Sequence, residues 1–362
     1  MLILALLPQL ISLAGAPAQP QPQLRVTVDS AQHQVVITVG PLYMPAATPY
    51  EHHIAAEPVR FAWPISGWMR GFRVDLLDSA GRGLPREMLH HAGVTNLNRR
   101  ELAYPVAERL FAAGRETEPV MLPGSLGVPI KTDDAMLLYY ALVNSTASVV
   151  DGAVLRLTIP WVPEDARGQH DAFPVYFDAH PVIGALSTFS LAPGRSTTSA
   201  EFVVPATGHL RHLGGHLHDF GVELRLEDAE TNEVLARLRA DRADDGTVRG
   251  VDRTRFFFKR KGLRLAANHR YRVAAVYENP RCSPVAGAMG LLVGVFVPEN
   301  VSEWPVVDAT DSSYQRDLAW LLEYGDPGAV ESHHPAVSDS VVSHAEHGPS
   351  GVIPVASCGA GR

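Results

Sequence analysis

The chain has 362 residues, of which 46% are hydrophobic and 19% charged, and its formal net charge is −8. This composition excludes a wholly disordered chain, and the length suits two ordinary domains. An acidic balance without a strong basic block argues against nucleic acid as a partner. The 28 prolines and 30 glycines are spread along the chain, which favours many short strands and turns over long helices.

The N-terminus is predicted to be a secretory signal peptide covering residues 1–18. Residues 2–13 are apolar, and Ala16-Pro17-Ala18 resembles a small-x-small cleavage site. A Pro/Gln-rich linker, 19–23, follows, and the mature protein is expected to be exported to the periplasm or the exterior. No Lys or Arg precedes the apolar run, so an uncleaved anchor or a misplaced start codon are the alternatives. No later stretch is apolar for ~18 residues, so no integral membrane span is expected after removal of the signal.

Most of the remaining chain is predicted to form short β-strands. Residues 24–28 and 35–39 flank the turn-like Asp29-Ser30, which is typical of a hairpin. Further strands are expected at 72–77, 135–143, 154–161, 201–204, 222–226, 234–238, 271–277 and 291–297. This spacing predicts an all-β fold of sandwiches. A polar, breaker-rich stretch near 163–170 divides an N-terminal sandwich, 24–165, from a C-terminal one, 166–310.

Two segments have helical periodicity. One is 102–113, and the other is 313–324 within a helical region at 311–325, with Tyr314, Leu318 and Leu321 on one face. The tail, 326–362, is rich in Ser, Pro, Gly and His and is predicted to be disordered. Its histidines either scavenge metal ions or are simply solvated. Cys282 and Cys358 either pair in an oxidising compartment or remain thiols.

His216 and His218 are the principal candidates for metal ligands. On a strand, side chains two residues apart point to the same face, so the start of the predicted strand 222–226 would aim both imidazoles at one point. Imidazole suits copper, zinc, iron and nickel. Gly214 and Gly215 allow close approach of the backbone, and Asp219 can orient a ligand. The alternative is a pair of polar side chains on the solvated face of an edge strand.

Other residues bear on which metal would bind. Met289 lies in the small, flexible segment Gly287-Ala-Met-Gly290, and a thioether as third ligand would favour copper. The alternative for this methionine is packing in a core. His90 and His91 are adjacent, so they can serve one metal only if the strand is kinked there. Surface or supporting positions are expected for two further histidines, His209 and His212.

Taken together, His90-His91, His216-x-His218 and Met289 in an exported all-β protein resemble the copper type II, ascorbate-dependent monooxygenases. The resemblance is to a divergent, bacterial-type member and spans about residues 24–300 as an ordered set of motifs. It implies two jelly-roll-like sandwich domains, each holding one copper and facing the other across a cleft. His216, His218 and Met289 would then hold the main, oxygen-binding copper, and His90 and His91 the second, electron-transferring copper.

The resemblance also implies an activity. The family hydroxylates an aliphatic C–H bond with O2 and ascorbate or another reductant, here on an unknown small-molecule or peptide substrate. One departure is clear: the third histidine of the first copper has no counterpart in the strand at 136–144, where Tyr139 and Tyr140 lie. Histidines elsewhere that would have to replace it are His52, His53, His170 and His180. Three functions therefore remain as alternatives: a copper hydroxylase, a non-catalytic copper-binding protein on the same fold, and a metal-free β-sandwich binding module.

Overall fold

The computed structural model describes residues 22–48, 54–55, 58–115, 117–185, 187–255 and 261–324. The predicted signal peptide, the tail at 326–362 and its histidines lie outside the described residues, as do His52 and His53. Cys358 lies outside them as well, so the two alternatives for Cys282 and Cys358, a disulfide or two thiols, stay predictions.

The fold is all-β, with two jelly-roll-like sandwiches in tandem followed by one short helix. The first sandwich consists of an eight-stranded sheet, in the order β1-β2-β12-β5-β10-β13 with β6 and β9 attached, and a five-stranded sheet, β3-β11-β7-β8 with β4 attached. Its strands are β1 Gln23–Asp29, β2 Gln34–Met44, β3 Ile54–Ala55, β4 Val59–Ala62, β5 Gly67–Met69, β6 Gly71–Leu77, β7 Leu89–Arg100, β8 Ala107–Gly114, β9 Val120–Met121, β10 Leu126–Ile130, β11 Ala135–Leu142, β12 Val150–Pro163 and β13 His170–Asp171.

The second sandwich pairs two five-stranded sheets, β14-β25-β17-β21 with β22 attached and β16-β23-β18-β19-β20, with a small ribbon, β15-β24, beside them. Its strands are β14 Phe173–Asp178, β15 Phe189–Leu191, β16 Gly194–Val203, β17 Gly208–Leu217, β18 Gly221–Asp228, β19 Val234–Arg242, β20 Val248–Val251, β21 Thr254–Arg255, β22 Leu263–Leu265, β23 Arg270–Asn279, β24 Val285–Ala288 and β25 Gly290–Pro298.

Alternating burial along the strands explains why two cores form. From Val35 to Val39 of β2 and from Ala153 to Trp161 of β12 every second side chain is buried, because successive residues of a strand face opposite sides of a sheet. Ile37 and Leu155 lie in the first core, whereas Leu224 and Phe296 lie in the second. The two cores share no residue. The expected domain limits, 24–165 and 166–310, stay predictions.

The helix expected at 102–113 is wrong, because residues 107–114 form the edge strand β8. This strand pairs antiparallel with β7, with Thr95 opposite Arg109 and Asn96 opposite Glu108. The residues Ala-Glu-Arg-Leu-Phe-Ala-Ala favour a helix on their own, and pairing with a neighbouring strand overrides that weak preference.

The C-terminal helix is confirmed as α1, Ser312–Tyr324. Tyr314 and Leu321 are buried against Leu137 of β11 and Ala107 of β8, so the helix covers the outer face of the five-stranded sheet of the first sandwich. This cover explains why Leu137 is buried although it lies on the face of β11 that points away from the first core. Within the described part of the chain, no helix combines the length and the apolar character needed to cross a membrane.

Candidate metal centre between the two sandwiches

His216 and His218 lie at the end of β17, one strand earlier than expected. His216 is opposite Leu291 of β25, and the backbone N–H of His218 donates to the carbonyl of Met289 at 3.3 Å. The chain then turns at Phe220, whose φ is +70°, before β18 begins. The two imidazole rings lie 5.0 Å apart, centroid to centroid, and are perpendicular.

A β-bulge places His90 and His91 side by side. In the pairing with β11, His91 is opposite Ala141 and Leu89 is opposite Leu142, so His90 is the extra residue of the bulge. The two rings are 4.2 Å apart. Two adjacent histidines can approach one metal ion only where the strand is kinked, and this bulge provides the kink.

The structure brings His91 together with His216 and His218. One nitrogen from each ring lies within 4.8 Å of the other two. The ring of His91 is 5.6 Å from that of His216 and 6.4 Å from that of His218. All three side chains are half-buried. One ligand from the first sandwich and two from the second thus form a single cluster, and His90 stands beside it without belonging to it.

A hydrogen bond fixes the tautomer of His218. Its Nδ1 lies 2.6 Å from the carbonyl oxygen of Gly287. Because a carbonyl only accepts, Nδ1 carries the proton and donates it, which leaves the lone pair on Nε2 for a metal ion. Such backbone support is the usual arrangement for histidine ligands of metals.

Met289 lies on the strand next to the histidines. It directly precedes β25, two residues before Leu291, and therefore on the face of the sheet that Leu291 shares with His216. Its side chain is buried beside Tyr176 and Leu291, and its carbonyl accepts the hydroxyl of Tyr277. The backbone of Met289 therefore lies next to that of His218, at the end of the pairing between β17 and β25.

The remaining candidate residues are distributed around this cluster. Tyr139 lines a cavity beside it, and Tyr140 is buried in the first core. His212 lines the same cavity, whereas His209 lies 3.9 Å from Glu299. His170 is exposed on β13, and His180 contacts Phe189, so neither replaces the missing histidine.

The cavity has a volume of about 220 Å³ and is bounded by both sandwiches. Phe72 and Phe111, whose rings are stacked 4.3 Å apart, contribute to its wall from the first sandwich. Leu291 and Val293 contribute from the second, and His91 and His216 place the histidine cluster on its boundary. A ligand in this space would therefore contact the candidate metal site.

A buried ionic network holds the two sandwiches together next to the cavity. Arg109 of β8 donates to Glu101 of the first sandwich and to Asp178 of the second, with Nη2 at 3.0 and 3.1 Å from the carboxylate oxygens. Its guanidinium lies 4.2 Å from the ring centre of Tyr176. Burial lowers the pKa of Arg109, but the carboxylates of Glu101 and Asp178 raise it by more, so it lies above its ordinary value.

Sequence reasoning missed two features of this region. The Arg109 network was hidden because residues 102–113 were predicted to be a helix, and Glu108-Arg109-Leu110-Phe111, two charged residues followed by two apolar ones, shows no strand-like alternation. His91 meets His216 and His218 only because the two sandwiches pack against each other, and no local sequence pattern predicts that packing.

Comparison with known proteins gives no family. No family model matches the chain, and no curated protein matches it. Among solved structures, recombinant peptide:N-glycanase F is 8% identical with a TM-score of 0.38, over 72% of this chain and 95% of that one. PNGase F, a glycosylasparaginase from Flavobacterium meningosepticum, is 7% identical with a TM-score of 0.33, over 72% and 95%. The mavirus major capsid protein is 9% identical with a TM-score of 0.26, over 82% and 93%.

These findings correct the expected kinship with copper type II monooxygenases. No family model supports it. The geometry departs from the expectation as well, since His91 joins His216 and His218 in one cluster and does not form a separate copper site across a cleft. Membership in that family and hydroxylation with O2 and ascorbate are therefore wrong for this chain, and the alternatives based on binding remain.

Proposed function

We propose that this protein is a binding protein that holds one transition metal ion between its two sandwiches through His91, His216 and His218. The observation that carries the proposal is the approach of three imidazole nitrogens to within 4.8 Å of one another. Nitrogens bound to one tetrahedral ion at about 2.0–2.1 Å lie roughly 3.4 Å apart. Small side-chain rotations therefore suffice to close the site.

Copper is the metal that the donor set favours. Three imidazoles are neutral donors that suit copper, zinc, iron and nickel, and a thioether shifts the preference toward Cu(I). Met289 is the proposed fourth ligand, because it lies on the strand next to His218 and on the same face as His216. Export of the protein, expected from its N-terminus, belongs to the same proposal.

Metal analysis of the full-length protein tests the proposal. The protein is stripped with a chelator, equilibrated with Cu(II) or Zn(II), and desalted, and the metal content is measured. We expect about one tightly held ion per chain, lost in His91→Ala and in His216→Ala. His269→Ala is the matched control, since His269 is engaged with Asp228 at 2.7 Å on the second sandwich. The histidine-rich tail is present in every variant, so it adds an equal background.

Two further variants separate the roles of neighbouring residues. Met289→Leu conserves the volume of a buried side chain, and we expect it to weaken Cu(I) binding while leaving Zn(II) binding unchanged. His90→Ala is expected to retain the ion. Equal metal content in the wild type, His91→Ala and His216→Ala would contradict the proposed site.

A metal-free binding module is the second candidate, and the cavity between the sandwiches favours it. The same measurement decides between the two, because this candidate predicts no stoichiometric ion after equilibration with either metal.

A further inference from the structure

The charged side chains that line the cavity are already paired with each other or with neighbours. Arg109 is bonded to Glu101 and Asp178, and Arg253 lies 3.5 Å from Glu118 across the gap between the sandwiches. An anionic ligand would compete with the carboxylates of Glu101, Asp178 and Glu118 for these guanidinium groups. An uncharged molecule avoids this competition, because the rest of the wall is mostly apolar.

The wall also includes polar side chains that are not permanently charged. These are the imidazoles of His91, His212 and His216 and the hydroxyl of Tyr139. Ligand sites of this kind combine apolar walls with a few polar groups that orient the ligand. The suitable ligand therefore has an apolar body and one hydrogen-bonding end.

The volume limits the size of that body. A cavity of roughly 150 Å³ in a protein core accommodates benzene. Scaled to the 220 Å³ found here, the same packing admits about nine non-hydrogen atoms. Phe72 stacked on Phe111 offers a flat aromatic surface on one side, which suits a planar ring.

Part of the cavity is open because Gly214 has no side chain. It lies between His212 and His216 on β17, so a side chain there would point to the same face as both histidines. A Cβ at this position would meet nothing closer than 3.9 Å, the nearest atoms being the Val293 carbonyl oxygen, Cγ of Arg253 and Nε2 of His212. Gly215 faces the other way, where a Cβ would lie 2.4 Å from Leu224 in the second core.

We propose that this cavity is a binding site for a compact, uncharged aromatic molecule of about nine non-hydrogen atoms with one hydrogen-bonding group. Gly214 keeps the space open, and the histidine side of the wall receives the polar end. His91 and His216 belong both to this wall and to the proposed metal site, so the aromatic site is tested in the metal-free protein.

Calorimetry with indole on the full-length protein in EDTA tests the proposal. We expect saturable one-to-one binding with a dissociation constant at or below about 1 mM. Gly214→Leu fills the cavity without entering the core and should weaken binding at least tenfold. Gly83→Leu is the matched control, because a Cβ at this exposed glycine meets no atom within 4 Å, and it should bind indole as the wild type does.

A second variant and a ligand pair keep the test decisive. Ala112→Leu fills the cavity from the first sandwich, so it replaces Gly214→Leu should that variant not fold, as judged by circular dichroism. 4-Methylbenzamide and 4-methylbenzoate have nearly the same shape, and the amide is expected to bind at least tenfold more tightly. Failure to bind indole or the amide, binding unchanged by both cavity-filling variants, or tighter binding of the benzoate would overturn the proposal. Because the titration is done in EDTA, its result does not depend on whether the protein binds copper. Failure of this proposal and failure of the proposed metal site are therefore distinguishable.

Discussion

Arg109→Met removes the cation that joins the two sandwiches. In the wild type, the guanidinium donates to Glu101 and Asp178 and is only 16% exposed. Methionine keeps much of the side-chain length and its contact with Tyr176 but provides no donor. The variant therefore isolates the loss of charge and hydrogen bonding at this interface.

The expected cost follows from the burial of the two carboxylates. Glu101 is 1% and Asp178 8% exposed at the side chain, so neither regains water when the arginine is lost. Removing one partner from a buried ion pair costs about 3–5 kcal/mol. Methionine packs against the Tyr176 ring but carries no charge, so loss of the cation–π attraction adds roughly 0.5–2 kcal/mol. Burial raises the pKa of Glu101 to about 7, so this carboxyl takes up a proton when Arg109 is lost, and we expect a total near the lower end of the sum, about 3.5–5 kcal/mol at pH 7.

Urea unfolding followed by tryptophan fluorescence measures this loss. Arg73→Met is the matched control, because Arg73 pairs with Asp75 at 2.8 Å but is 58% exposed. Exposed pairs contribute less than about 1 kcal/mol. Adding Glu101→Gln and Asp178→Asn to Arg109→Met replaces the two carboxyl groups that the lost arginine leaves without a partner, so the triple variant should recover part of the lost stability.

A loss below about 1 kcal/mol for Arg109→Met, equal to that of Arg73→Met, would refute the reasoning. It would mean that water reaches both carboxylates and that the network does not hold the sandwiches together. Failure of the triple variant to recover any stability would refute the assignment of the cost to unpaired charge.

Three other predictions concern separate parts of the molecule. Burial raises the pKa of Asp317 to about 6. The protonated side chain therefore stabilises the fold fully below about pH 4, and this stabilisation is lost as the pH rises through about 6 and the side chain ionises. Asp317→Asn keeps the acceptor for the Ala107 N–H and should raise the free energy of unfolding by up to about 3 kcal/mol at pH 8 but not at pH 4, and equal effects in urea unfolding at both values would disprove this. Gly93→Ala places a Cβ 2.2 Å from the Tyr139 hydroxyl, so thermal unfolding should show a loss of more than about 2 kcal/mol, and an unchanged melting temperature would count against the packing described. Copper at 100 times its dissociation constant should stabilise the wild type by about 2.7 kcal/mol and leave His216→Ala unchanged, whereas equal stabilisation of both would place the ion elsewhere.

The sequence by itself determined the class of fold and the local elements. Strands such as β2 and β12 and the helix α1 were predictable, because their alternating or helical spacing of apolar residues reflects which face is buried. The spacing of His216 and His218 likewise predicted that their rings would lie together. These features depend on neighbours in the chain, which a sequence displays directly.

Only the tertiary structure decided which distant residues meet. β8 is a strand because β7 pairs with it, and Arg109 is buried because the second sandwich supplies Asp178. His91 joins His216 and His218 through a bulge in β7 and the approach of the two sandwiches, and the kinship suggested by the short motifs did not hold. The reason is physical: packing between sheets sets these contacts, and their free energy outweighs the weak local preferences that can be read from the chain.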